Sequence, residues 1–77
     1  MEINVSILSP TRVIFEGKAE NITLPGEQGV FEILPFHKAI LSRLISGTLH
    51  VSGQSISIRR GLVSVNQNNV MIIAEES

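Results

Sequence analysis

The sequence predicts an all-β domain: a small flattened β-sandwich or barrel of about 8–10 short antiparallel strands. Three observations carry this. Apolar and polar residues alternate with period two in several short runs, as with Ile3, Val5 and Ile7 against Glu2, Asn4 and Ser6. Turn-forming clusters separate those runs at roughly eight-residue spacing. The chain has 77 residues, enough for one domain. A domain this short buries roughly 60% of the surface that its unfolded form exposes, so its core is thin.

The elements follow in order. Residues 2–8 form the first strand, and Ser9-Pro10-Thr11 ends it because proline offers no donor and presets a turn. Residues 12–16 form a second strand. Val13 and Phe15 lie on one face; Arg12, Ile14 and Glu16 lie on the other. Gly17 breaks or bulges the ribbon. Residues 19–24 make a third strand with Ile22 and Leu24 as its core residues, stopped by a type II turn at Pro25-Gly26. Phe31–Leu34 is a short strand closed by Pro35.

Residues 36–45 stay open between two readings. Phe36, Ile40, Leu41, Leu44 and Ile45 recur at helical spacing, yet Ile40-Leu41 equally fits a short buried strand. After Ser46-Gly47, residues 48–51 and 55–59 read as strands joined by Ser52-Gly53-Gln54. Gly61 opens another, with Val63 and Val65 on one face and Leu62 opposed. Asn66–Asn69 is a polar turn in which asparagine can take left-handed geometry. Val70–Ala74 is the most apolar strand and is expected inside a sheet. Glu75-Glu76-Ser77 is a solvated tail.

Composition removes several functions. The net charge of −1 excludes a general electrostatic grip on nucleic acid. Arg59-Arg60 reads as a solvated corner. No apolar run approaches the length of a membrane span, and Glu2 sits where a signal peptide needs positive charge. There is no cysteine, hence no disulfide or thiolate metal site. No aspartate is present, and the seven glutamates are scattered. His37 and His50 are 13 apart and do not make a persuasive zinc site. Neither has the partners that a catalytic base needs. Gly26-x-x-Gly29 is too short for a phosphate-binding loop and lacks its Lys-Ser/Thr. The expectation is no enzyme, no cofactor, no catalytic residue and no metal.

The segment LPGEQGVFEILPFHKAILSRL, followed by GTL and then RRGLVSVNQNNVMIIAE, resembles the N-terminal β-sandwich domain of the epsilon subunit of F-type ATP synthases. The resemblance covers essentially the whole chain. It is most specific from Pro25-Gly26-Glu27-x-Gly29 through Ile33-x-Pro35-x-His37, and it continues in Ile40, Leu41, Gly47, Gly61, Val65, Asn69, Val70 and Ala74. Four positions depart from the family pattern. Phe36 replaces a glycine between the proline and the histidine. Lys38-Ala39 replaces Ala-Pro, Glu32 replaces a glycine before the isoleucine, and Arg60 replaces the first of two glycines.

The resemblance implies a rotor subunit of the central stalk. Such a subunit binds the gamma subunit, rests on the polar loops of the c ring and helps couple H+ or Na+ flow to ATP synthesis and hydrolysis. It also favours strand over helix for residues 36–45. The implied gamma-facing residues are Phe36, His37, Lys38, Ile40, Leu41, Ser42 and Leu44, with Phe36 outward and Ile40 and Leu41 at least partly inward. The implied c-ring-facing loop is Gly26, Glu27, Gln28, Gly29 and Val30. Read locally, His37 is expected to cap loop carbonyls. The implied location is peripheral, on the cytoplasmic face of a bacterial inner membrane or an equivalent energy-coupling membrane, as part of the F1 sector. Many members continue into a two-helix C-terminal domain, which is expected to be absent here with its inhibitory arm.

Two other readings of the same residues stay beside this one. A small β-sandwich adaptor needs only the fold. A lipoyl- or biotinyl-type carrier would need a lysine at a hairpin tip, and only Lys18 and Lys38 are present.

Overall fold

The computed structural model describes residues 1–77. It contains eight strands: β1 (Ile3–Leu8), β2 (Val13–Ala19), β3 (Ile22–Gly26), β4 (Gly29–Ile33), β5 (Ile40–Leu44), β6 (Gly47–Val51), β7 (Gln54–Asn66) and β8 (Asn69–Glu76). There is no helix, so none is long and apolar enough to cross a membrane. Residues 36–45 are a tight loop followed by β5.

One long strand joins two layers. The first half of β7 pairs with β6, and the second half pairs with β5 and β8. The first layer is therefore β2-β1-β8-β7-β5, and the second is β7-β6-β3-β4. A register shift between Ile58 and Arg60 leaves Arg59 as the extra residue of a bulge, which bends β7 from one layer into the other. The pairing of Gly26 with Leu44 closes the far side. Between the layers lie sixteen apolar residues, among them Ile3, Ile7, Ile22, Leu24, Ile33, Leu49, Ile58, Val63 and Ile72. No polar or charged residue is buried. The pattern of alternation explains this: in β1 the odd positions are buried, and in β8 the even ones are.

Several local details differ from the reading of the sequence. The strands are not all antiparallel, because β1 and β8 pair in parallel from Asn4↔Asn69 to Leu8↔Ile73. First and last strands lie side by side, and the rest of the chain is their crossover. Gly17 does not interrupt β2, which continues to a buried Ala19. Ile7 opposes Phe15 while Leu8 opposes Val13, so Ile14 is the surplus residue of a bulge. Ile14 and Phe15, adjacent in sequence, accordingly both pack on the core.

Pro25-Gly26 does not form a turn either. Both residues belong to β3, and Gly26 pairs with Gly29 across the two-residue turn Glu27-Gln28. Gly29 is the residue with positive φ, at 119°. Proline fits within β3 because its side facing β5 and β6 lies where the strand changes partner. There its carbonyl accepts a bond from the Ile45 N–H at 2.9 Å. Gly61 lies inside β7 and does not begin a strand. At the β7–β8 turn it is Gln67, at φ 58°, and not an asparagine that adopts left-handed geometry. The Ser52-Gly53 turn has positive φ at both residues, as a tight two-residue hairpin requires.

Exposed ion pairs tie the termini of elements together. Arg12, before β2, donates from Nε and Nη2 to the two carboxylate oxygens of Glu76, at 3.1 and 2.7 Å. That double hydrogen bond, with the guanidinium charge, holds the Glu76 carboxyl below its ordinary pKa. A carboxyl with a lowered folded pKa contributes stability above its unfolded pKa and loses it as pH falls through the folded value. Glu76→Gln is therefore expected to lower the urea midpoint slightly at neutral pH. The gap to the wild type should close as pH drops below the usual carboxylate range. A gap that is constant from neutral pH into strong acid would show that the ion pair contributes nothing.

Candidate interaction surface

The rim from Leu34 to Leu44 ends in strand β5, so the side chains of its last five residues divide by parity. Burial along β5 alternates: Ile40 and Ser42 are half-buried, Leu44 is only 3% exposed, and Leu41 and Arg43 face solvent. Two expectations change as a result. Leu41, expected partly inward, is 76% exposed. Leu44 belongs to the core and offers no surface to a partner. Helical spacing would have put Ile40, Leu41 and Leu44 on one face; a period of two separates Leu41 from the others.

Phe36 points outward, 70% exposed, and its φ is +67°. A bulky side chain rarely accepts that backbone geometry. The family pattern has glycine here, which accepts it readily. Three hydrogen bonds hold the loop. The Phe36 N–H donates to Asn68 Oδ1 at 3.0 Å. The His37 N–H donates to the Leu34 carbonyl at 3.2 Å. The His37 ring donates from Nδ1 to the Lys38 carbonyl at 2.7 Å, which is a loop-capping contact of the kind expected. Lys38 is exposed and His37 half-buried.

The β3–β4 hairpin end stands beside this rim. Gly26 is buried, and a Cβ on it would lie 2.7 Å from the Phe31 ring. It therefore supports the loop from below, while Glu27, Gln28, Gly29 and Val30 are exposed. Val30 is 73% exposed, and Glu27 lies 3.8 Å from Arg43. Gly26–Phe31 and Ile40–Ser42 line one open cleft of about 610 Å³. The sequence showed them as two stretches; the fold makes them neighbours.

One apolar feature escaped the sequence reading. Leu62, Met71 and Ile73 are each about half exposed on the outer face of β7 and β8. Ser64 lies opposite both Leu41 and Met71, so this face continues laterally from the rim. The signal was present in Val70–Ala74. Five successive apolar residues in a strand make both faces apolar, including the one turned to solvent.

No three His, Cys, Asp or Glu side chains converge to hold a metal. Lys18 lies within β2 and Lys38 in the loop before β5, neither at a hairpin tip. His50 faces solvent, 3.1 Å from Ser55 Oγ. What the surface offers is apolar side chains beside a short acidic turn, suited to docking against another macromolecule.

Residues 2–77 match the family described as ATP synthase, Delta/Epsilon chain, beta-sandwich domain. The ATP synthase epsilon chain of Leptospira borgpetersenii is 31% identical over 96% of this chain and 61% of its own length. That of Sulfurimonas denitrificans is 33% identical over 96% and 61%. The chain thus spans about three-fifths of the curated relatives it matches. A chain from the central stalk and c ring of the Tetrahymena thermophila mitochondrial ATP synthase superposes with a TM-score of 0.84. It shares 19% identity, over 99% of this chain and 65% of that one. A chain of the Euglena gracilis mitochondrial ATP synthase gives 0.86 at 23% identity, over 97% and 51%. At these identities the superpositions establish the fold.

Proposed function

Because the chain belongs to the ATP synthase delta/epsilon β-sandwich family, we propose that it acts as a non-catalytic rotor subunit of the central stalk. It binds the gamma subunit through the exposed rim Phe36, His37, Lys38, Ile40, Leu41 and Ser42. It approaches the polar loops of the c ring through the hairpin end Glu27, Gln28, Gly29 and Val30, with Gly26 beneath. In this role it turns with the rotor and helps couple ion flow to ATP synthesis and hydrolysis. It reaches the membrane only through the complex, peripherally on the cytoplasmic face of a bacterial inner membrane or its equivalent.

The observation that carries this reading is the pair Phe36 and Leu41. Both are more than two-thirds exposed, and Leu41 lines the cleft against which the Glu27–Val30 turn also stands. An apolar group in water contributes nothing to the fold; in a docking site it becomes an anchor. The test is calorimetric titration of the protein with the gamma subunit of the same ATP synthase. Binding with one-to-one stoichiometry is expected. No heat and no co-purification at micromolar concentrations would rule the reading out.

A further inference from the structure

The Phe36 backbone is strained for a ring that the domain itself does not use. Left-handed geometry brings the Cβ of an ordinary residue against its neighbouring backbone and is unfavourable. Such strain persists only where the surroundings over-determine it. Burial of the ring is not the reason, since 70% of the residue is in solvent. Two contacts hold the conformation. The His37 N–H to Leu34 carbonyl bond, at 3.2 Å, closes a turn with Pro35 second and Phe36 third, the position that takes positive φ in a type II turn. The side chain of Asn68 adds to it, its Oδ1 accepting the Phe36 N–H at 3.0 Å.

Asn68 is itself well placed to hold anything it bonds. It sits in the two-residue turn between Asn66 and Asn69, which pair across β7 and β8. Its backbone carbonyl accepts the Asn4 N–H at 2.8 Å, tying the turn to β1. The neighbouring side chains reinforce this, with Asn4 Nδ2 donating to Asn69 Oδ1 at 3.2 Å. Gln67 takes the positive φ that the turn needs. The path from the centre of the first layer to the exposed ring is short: β1, Asn68, Phe36.

We infer that Asn68 is a positioning residue for partner binding: with the Leu34–His37 turn it locks Phe36 in its left-handed conformation and so presents the ring, pre-set, to the subunit that docks on this rim. The inference rests on the functional reading above for the identity of that partner. A ring held in its binding geometry pays less ordering entropy on association than one on a mobile loop. The family's glycine would give the same backbone freely but no ring. Phenylalanine gives the ring, and the Asn68 acceptor joins the Leu34–His37 turn in holding the backbone.

Two measurements test this. In the first, gamma-subunit affinity is measured by calorimetry for the wild type, Asn68→Ala, Phe36→Ala and the double variant. Asn68→Ala is expected to weaken binding about fivefold, the equivalent of one hydrogen bond. In the Phe36→Ala background the same change should have no further effect. Asn68→Asp, which keeps an acceptor oxygen, should restore most of the affinity. Equal losses from Asn68→Ala in both backgrounds would overturn the inference, because Asn68 would then act elsewhere.

The second measurement needs no partner. The NMR three-bond coupling between the amide and α protons of Phe36, with its Cα and Cβ shifts, reports the backbone geometry. Asn68→Ala should move Phe36 out of the left-handed region, and Asn68→Asp should keep it there. Unchanged shifts in Asn68→Ala would refute the positioning role. If the wild type binds no gamma subunit but the shifts move as expected, the functional reading falls and the hold of Asn68 on Phe36 stands.

Discussion

A Gly61→Val variant is expected to lose a substantial part of the stability of the domain. Gly61 lies in the middle of β7, with Leu44 of β5 on one side and Ala74 of β8 on the other. A Cβ there would sit 2.6 Å from the Ile73 carbonyl oxygen and 3.1 Å from Ala74 Cα. Both are backbone atoms, so no rotamer change relieves the clash. Either β8 is pushed off β7 or β7 twists away from β5, and each breaks ladder bonds of the strand that joins the two layers.

Overpacking of this kind costs typically 1–3 kcal/mol, and valine adds two further carbons. A domain of this size holds about 4–11 kcal/mol in total. A drop in Tm of about 12 °C or more is expected in a thermal melt. Gly17→Val is the control: a Cβ there meets only the Phe15 ring, at 3.6 Å, in a strand that favours β-branched residues. If both variants melt with the wild type, the close approach of β7 and β8 at Gly61 is no constraint.

Phe36→Glu should weaken gamma-subunit binding strongly and leave the fold intact. Truncating or charging a central aromatic anchor costs at least about 2 kcal/mol, or roughly 30-fold in affinity. The ring is mostly solvated, so its removal takes little from the core. Phe36→Gly separates the two roles further. It removes the ring and also the left-handed strain, so its Tm should not fall below that of the wild type, while binding is weakened as with glutamate. A clear fall in Tm for both variants would place the ring among the groups that support the fold, and unchanged affinity would remove it from the interface.

The two variants also show where the sequence was informative. The departure at Phe36 was visible as a bulky residue in a position that the family gives to glycine. The chain keeps there the positive φ that glycine accepts freely and a bulky residue does not. The distant acceptor that helps to sustain it was not visible. Asn68 lies 32 residues away and acts through a turn whose register is set by β7 and β8. Gly61 was noticed as a boundary, yet its meaning is a close approach inside one 13-residue strand. Glycine signals freedom or proximity alike, and only the neighbouring backbone tells which.

Alternation in the chain by itself determined an all-β domain, its apolar core in β1, β3, β7 and β8, and the central place of the Val70–Ala74 strand. Those are consequences of period two, which any half-buried strand must obey. The residue order around the Pro-Gly-Glu and Pro-x-His segments was enough to place the chain in its family.

Tertiary structure alone decided the rest. Residues 40–44 are a strand because the edge of β7 supplies hydrogen-bond partners from Leu44↔Gly61 to Ile40↔Val65, which a local pattern cannot reveal. That pairing turns Leu41 outward and Leu44 inward. The parallel β1–β8 pair, the bulges at Ile14 and Arg59 and the meeting of the Glu27 turn with the Leu41 rim follow from pairings between distant residues. A local sequence sets which faces are apolar; long-range registers set which of those faces meet water.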